Sequence, residues 1–252
     1  MENKNAVSVI NLSKTYKSNN KEQIKVFDKF NAQFEQNKIH CLLGVSGSGK
    51  SSLLKLIAGL EKKDCGDIVF LNKSIEDNLA MIFQDNNLFP WLTVYQNINL
   101  LLKSYYKRLK IKKTKKQINE EIEKQLSKYD LIKYKNFYPN ELSGGLNQKV
   151  TLVKTLITNP LLILFDESFS ALDFLSKEMI YNFLISDFNE KKYTAIITTH
   201  DVKEAVVLSD YIHIINKGSY IKVENTLPKP RVENEEFQKL YNKIKEQYKT
   251  GR

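Results

Sequence analysis

Two groups of residues in this chain have the types and spacing of a phosphate-handling site. The first is Gly44-Val45-Ser46-Gly47-Ser48-Gly49-Lys50-Ser51, which satisfies the pattern G-x-x-x-x-G-K-[ST] without a mismatch. Glycines let the backbone curl round a phosphate chain, and the N–H groups of that curl, with the positive end of a following helix, donate to β- and γ-phosphates. Lys50 adds a charge, and the Ser51 hydroxyl offers a ligand to Mg²⁺. The second group is Asp166-Glu167, directly after Leu161-Leu162-Ile163-Leu164-Phe165. Open α/β sheets bind ligands at the C-terminal edge of their strands, where this pair falls. Successive strand residues face opposite ways. Asp166 can therefore hold the magnesium, directly or through water, while Glu167 is placed to orient and deprotonate an attacking water. The two groups together predict a site that binds and hydrolyses a nucleoside triphosphate.

Such residues need elements to hold them. Ile39-His40-Cys41-Leu42-Leu43 reads as a short buried strand running into the glycine loop, and Ser51 to Leu60 carries Leu53, Leu54, Ile57 and Leu60 at helical spacing, with Gly59 near its end. Strand, loop, helix is the order the phosphate motif requires. Leu161 to Phe165 and Thr194 to Thr199 are continuous apolar or β-branched runs, predicting strands buried on both faces and hence a parallel sheet covered by helices. Val7 to Leu12 and Lys25 to Phe34 alternate apolar and polar residues, as half-buried antiparallel strands do. From Thr93 to about Tyr138 the pattern is helical and polar. No internal repeat occurs, and the segment beyond Thr226 has the charge-rich composition of an appended tail.

Composition narrows the setting. A length of 252 residues suits one large α/β domain or two small ones. No run approaches the roughly 20 apolar residues of a membrane-spanning helix, and the opening residues lack the apolar stretch of a signal peptide, so a cytoplasmic placement is expected. Cys41 and Cys65 stand in unrelated contexts without a spaced ligand cluster, and read as reduced and structural rather than zinc-binding. The net charge of +10 admits two readings: a Lys-rich composition throughout, or affinity for an anionic partner. One local feature is Lys103 to Lys116, with eight Lys or Arg and no acid, which suits phospholipid head groups or the solvated side of a helix.

A third motif carries a family resemblance. Glu141-Leu142-Ser143-Gly144-Gly145-Leu146-Asn147-Gln148-Lys149 resembles the LSGGQ signature of ATP-binding cassette (ABC) ATPases, and the order of the other motifs over residues 7 to 231 fits that family. The resemblance implies an α/β fold: a P-loop NTPase (RecA-like) parallel sheet core with an N-terminal antiparallel β subdomain and an inserted α-helical subdomain at approximately 86–159. The cassette would occupy 1–231, with 232–252 as a charged helical tail. It implies that Tyr16 stacks on adenine, that Gln84 touches magnesium and the attacking water, that Ser170-Ala171-Leu172-Asp173 is the D-loop, and that His200 is the switch histidine. Val45, Ser46, Ser48 and Ser52 count with the glycine loop as nucleotide-binding. Departures from the family pattern are Ser168 for a proline, Leu146-Asn147 in the signature, Lys149 for arginine, Ser52 for threonine and Asn37 for a turn glycine; Asn tolerates the left-handed backbone of such a turn. A working but slower ATPase is expected.

The same resemblance implies partners. Two copies would pair head to tail, each ATP with its Mg²⁺ lying between Gly44–Ser51 of one chain and Ser143–Gly145 of the other. Asn87-Leu88-Phe89-Pro90-Trp91-Leu92-Thr93-Val94, followed by Asn97, resembles a stretch of nitrate/sulfonate/taurine-type importers, some of which serve thiamine precursors; Leu227-Pro228-Lys229-Pro230-Arg231 resembles an element near the end of those subunits. A bacterial importer ATPase would sit at the cytoplasmic face of the membrane, on separate permease subunits served by an extracytoplasmic solute-binding protein. Phe89, Pro90 and Trp91 would form a stiff corner lining the groove for a permease helix, or Trp91 would be core. The alternative is a soluble ABC ATPase acting on nucleic acid or ribosomes, but such proteins carry paired cassettes or long coiled coils, and no nucleic-acid partner is expected. A P-loop kinase or GTPase would need an acceptor pocket or an Asn-Lys-x-Asp element and would leave Ser143-Gly144-Gly145 without a purpose.

Overall fold

The computed structural model of the protein describes residues 4–17, 23–84, 88–216 and 219–250. The N-terminal alternation forms β1 (Asn5–Lys17) and β2 (Gln23–Glu35), which pair antiparallel with Val7 opposite Phe34 and Tyr16 opposite Ile24. Asn37, at φ 57°, turns the chain into β3 (Ile39–Leu43) with the left-handed backbone its side chain tolerates. The glycine loop follows, then α1 (Lys50–Ile57) and β4 (Cys65–Phe70), which joins the other edge of β1. Next come α2 (Lys73–Asp77), capped by the Asn72 side chain, and β5 (Leu79–Ile82). After a helical stretch, the chain resumes with β6 (Leu162–Asp166), β7 (Thr194–Thr199), β8 (Tyr211–Asn216) and β9 (Ser219–Glu224).

Among the described residues the strands form a three-stranded sheet, β2-β1-β4, and a six-stranded sheet, β5-β6-β7-β3-β8-β9. The run β6, β7, β3, β8 is parallel and β9 closes it as an antiparallel edge. Every residue of β3, β6 and β7 is buried, as the continuous apolar runs predict. The period of two is visible inside β3. Leu42 packs with Phe34, Leu53, Leu54, Leu164 and Ile196 on one face, whereas Cys41 and Leu43 join Val206, Ile212, Ile214 and Phe237 on the other.

The chain divides into two compact units. The first comprises Met1–Met81, Leu161–Glu167 and Tyr181–Arg252, the second Ile82–Pro160 and Ser168–Ile180. In the first unit the tail forms a helix, called α8 below (Glu235–Thr250), whose Phe237, Ile244 and Tyr248 are buried against α7 (Val202–Leu208) and β8. This charged segment is therefore part of a core, and Lys229 with Arg231 holds its approach by ion pairs to Asp210 at 2.9 and 3.6 Å.

In the second unit, the helical stretch is α3 (Val94–Arg108) and α4 (Lys115–Lys128), each opened by a reciprocal cap, Thr93 with Gln96 and Thr114 with Gln117. α5 (Gly144–Leu156) follows. α6 (Phe174–Lys191) begins in this unit and ends in the first. Asn86 and Asn87 lie outside the described residues. The basic run 103–116 spans the end of α3 and the start of α4, where Lys113 and Lys116 pair with Glu121 and Glu120 at 3.4 and 4.0 Å. No described helix is long and apolar enough to cross a membrane.

Candidate nucleotide site

The loop between β3 and α1 is shaped by its glycines. Gly49 caps α1 at φ 96°, a conformation L side chains rarely adopt, and a Cβ there would lie 2.6 Å from Val26. At Gly44 a Cβ would lie 2.4 Å from the Ile215 carbonyl oxygen. The first bond of the helix runs from Leu53 N–H to the Gly49 carbonyl at 2.8 Å, so the amides that open the helix have no partner in its ladder, the arrangement that suits an anion.

Lys50 is 3% exposed and lies inside this curl. Its Nζ donates to the carbonyls of Gly44 and Val45 at 2.8 and 3.0 Å and stands 3.5 Å from Glu167 Oε1. Burial pulls its pKa down, while Glu167 and Asp166 push the other way. The Ser51 hydroxyl donates to Asp166 Oδ1 at 2.6 Å. A hydroxyl and a carboxylate converging at the mouth of a phosphate cradle are the hard oxygen donors Mg²⁺ takes. Among the described residues no trio of His, Cys, Asp or Glu forms a cage.

Asp166 is the last residue of β6, and Glu167 follows at φ 43°. That left-handed backbone is unusual for glutamate and turns its carboxylate toward Lys50 and toward His200, whose Nδ1 is 3.9 Å from Oε2. His200 stands one residue past β7, with its side chain 60% exposed. Asp201 beside it caps α7 by accepting from Lys203 and Glu204 N–H. Thr198 is not among the residues the sequence singles out, yet it ties the site together. Its hydroxyl accepts from Glu167 N–H at 2.8 Å and lies 3.1 Å from Asp166 Oδ1. A threonine inside a fully buried strand is the only signal the sequence offers for it.

Tyr16 is half-buried; its hydroxyl bonds Glu61, and burial with that carboxylate raises its pKa. The Lys14 ammonium stands over its ring, 5.0 Å from the centroid. Ser52 on α1 opposes that rise. Thus the first unit brings together Gly44, Lys50, Ser51, Asp166, Glu167 and His200, with Tyr16 and Ser52 on the helix side; Val45, Ser46, Gly47 and Ser48 complete the loop.

The remaining candidates belong to the second unit. Ser143 caps α5, accepting from Leu146 N–H at 3.3 Å, and Gly144 opens the helix beside it. A Cβ on Gly145 would lie 2.5 Å from Ser176 Oγ, and that hydroxyl donates to Asp173 Oδ2 at 2.6 Å. The signature and the D-loop therefore adjoin, although the Asp173 carboxylate serves here as the cap of α6. Gln84 is exposed just beyond β5. Ser168 is buried, and its hydroxyl donates to the Ile82 carbonyl at 3.2 Å, a bond the expected proline could not make. Asn147 donates to the Pro139 carbonyl at 2.8 Å, fastening the loop ahead of the signature. Trp91 is 69% exposed, its ring tilted against that of Phe89 with centroids 5.3 Å apart, so the core alternative for Trp91 is excluded.

A lysine and paired carboxylates gathered round a glycine-lined helix start make the first unit a P-loop NTPase. The family model described as ABC transporter matches residues 27–170. The chain is 36% identical over 254 residues to the aliphatic sulfonates import ATP-binding protein SsuB of Bacillus cereus, covering 97% of this chain and 96% of that one. Against the nitrate import ATP-binding protein NrtD of Synechocystis it is 34% identical over 219 residues, covering 85% and 80%. A dimeric ATP-binding cassette in a post-hydrolysis state, bound to ADP and Pi, superposes with a TM-score of 0.73 at 27% identity, covering 90% of this chain and 99% of that one. The chain belongs to the ABC transporter ATP-binding family, and it binds and hydrolyses ATP.

Proposed function

We propose that this chain energises solute uptake as the ATP-hydrolysing subunit of a bacterial importer of the nitrate/sulfonate/taurine or thiamine-precursor type. The observation that carries the catalytic assignment is the meeting of Lys50, Ser51, Asp166 and Glu167 in one cluster. Gly44 to Ser52 hold the triphosphate, with Lys50 exchanging its loop carbonyls for phosphate oxygens, and Tyr16 stacks the base. Ser51 and Asp166 would hold Mg²⁺, and the family resemblance assigns Gln84 to the same ion. Bound magnesium supplies positive charge to the β- and γ-phosphate oxygens. Glu167 accepts a proton from the attacking water, and His200, hydrogen-bonding the γ-phosphate, keeps water and carboxylate in line.

A second copy closes the site head to tail, presenting Ser143, Gly144 and Gly145 with Asp173 to the same nucleotide. Separate permease subunits anchor the pair at the cytoplasmic face of the membrane, and an extracytoplasmic solute-binding protein delivers the solute. The relatives named for sulfonate and nitrate import support the solute group. The exposed Phe89–Trp91 corner supports a permease contact. The test is ATP turnover by the chain reconstituted with its permease against Glu167→Gln. A kcat about 10² to 10⁴ times lower in the variant, with ATP binding retained, is expected; turnover no higher than the variant's sinks the assignment.

A further inference from the structure

The basic run of the second unit takes no part in the nucleotide site, and its charge is concentrated. Of the chain's net charge of +10, residues 103–116 supply +8, leaving +2 for the rest of the sequence. A surplus spread through a lysine-rich composition would not gather in one turn. The run covers the end of α3, the turn after it and the start of α4. Glu121 and Glu120 answer Lys113 and Lys116, whereas Lys103, Lys107, Arg108, Lys110, Lys112 and Lys115 are exposed and pair with no carboxylate among the described residues. The turn is held by its backbone. Lys110, at φ 57°, is the left-handed residue just past α3; its N–H donates to the Lys107 carbonyl at 3.2 Å, and Ile111 N–H donates to the Tyr106 carbonyl at 2.9 Å. Leu102, Ile118 and Ile122 of the two helices are buried, and the Tyr106 hydroxyl lies 2.6 and 2.7 Å from the two oxygens of Glu121. On this fixed turn Leu109 and Ile111, flanking Lys110 in the chain, are 42% and 45% exposed.

We propose that this turn docks on an anionic lipid surface, with Leu109 and Ile111 entering the head-group layer and the unpaired cations meeting lipid phosphates around them. Clusters of about four to eight Lys or Arg are the footprint of such contacts, each cation near the surface strengthening binding by about fivefold. Exposed aliphatic side chains add the apolar burial that charge alone does not give. Nucleic acid fits the cations but not their neighbours. Single strands stack their bases on free aromatic rings, but Tyr106 is buried and Tyr105 is half-buried, packed edge-on against Tyr106 with Arg108 5.6 Å from its centroid. The phosphates of a duplex would leave Leu109 and Ile111 without apolar cover. The contact goes beyond the importer reading, since it needs neither nucleotide nor permease; for an importer subunit it would hold the chain at the leaflet and raise its effective concentration beside the permease.

Co-sedimentation of the full chain with vesicles, in the absence of permease and nucleotide, tests the contact. Binding to vesicles of equal parts phosphatidylglycerol and phosphatidylcholine is expected to be about tenfold or more tighter than to phosphatidylcholine alone, and to weaken about tenfold or more between low salt and about 0.5 M NaCl. Lys110→Gln with Lys112→Gln should weaken binding to the anionic vesicles by about tenfold or more, and Leu109→Asn with Ile111→Asn by about fivefold. Every replaced side chain is exposed, so both double variants should unfold close to the wild-type temperature. No preference for phosphatidylglycerol, or undiminished binding in either double variant, overturns the proposal. Binding to a short DNA duplex and not to the vesicles, lost with the same lysines, overturns it in favour of nucleic acid.

Discussion

At the scale of single residues, catalysis in this site depends on where Glu167 is held. Its left-handed φ of 43° carries a strain of order 1 kcal/mol, and the Thr198 hydroxyl that accepts its N–H maintains it. Thr198→Val keeps the side-chain volume but leaves that N–H unmatched and takes a hydroxyl from Asp166. The expected outcome is a kcat for ATP lowered by about tenfold or more with KM changed far less, because the triphosphate cradle is untouched. Thr198→Ser should recover most of the loss. Equal kinetics in wild type and Thr198→Val would remove Thr198 from the site. Lys50 acts on binding instead, since its ammonium is held by two loop carbonyls that a phosphate must replace. Lys50→Met should therefore weaken ATP binding itself, by about tenfold or more in Kd, read by titration calorimetry; wild-type affinity in that variant would refute the cradle role.

At the scale of elements, the corner ahead of α3 shows how one buried side chain fixes a loop. The Asn97 amide accepts from Phe89 N–H at 2.8 Å and donates toward the carbonyls of Phe89, Leu92 and Thr93 at 3.0 to 3.2 Å. Removing it strands several backbone groups. Asn97→Ala should destabilise the protein by about 2–3 kcal/mol in urea. Trp91 is the sole tryptophan, so its fluorescence anisotropy should fall as the corner loosens. Unaltered anisotropy would show that the corner stands without Asn97. Asn97 is legible in the sequence only as a motif letter, since spacing cannot reveal hydrogen bonds to a preceding loop. The strand–loop–helix unit is fully legible, because glycine positions and two-sided apolar runs each have one physical solution. The tail misleads by its charge: Phe237, Ile244 and Tyr248 recur at helical spacing among lysines and glutamates, and burial follows the stripe rather than the average. Thr198 escapes a sequence reading because its role depends on which strands are neighbours, and β6 and β7 are brought together by topology.

At the scale of the whole molecule, stability is tied to pH by two histidines that take no part in the site's chemistry. His40 on β3 and His213 on β8 are fully buried and linked in a line with one consistent set of donors. The Tyr220 hydroxyl donates to His213 Nδ1 at 2.7 Å, His213 Nε2–H donates to His40 Nδ1 at 3.0 Å, and His40 Nε2–H donates to the Glu35 carbonyl at 2.9 Å. A proton added to His40 Nδ1 faces the His213 Nε2–H, and one added to His213 Nδ1 obliges the Tyr220 hydroxyl to accept instead of donate. Burial depresses both pKa values, His40 from 6.5 to about 4 and His213 well below 6.5, with Lys222 opposing charge as well and the Glu35 and Asp210 carboxylates favouring it at His40. The unfolded chain therefore takes up protons first as pH falls below 6.5, and stability present above that value is lost toward pH 4. For His40 alone the loss between pH 7 and pH 5 is about 2 kcal/mol. Urea unfolding at the two pH values should show at least that difference in wild type and a shallower slope in His40→Asn, whatever the variant's absolute stability. Parallel slopes in the two proteins would mean that carboxylates elsewhere, and not this buried relay, make the fold sensitive to acid.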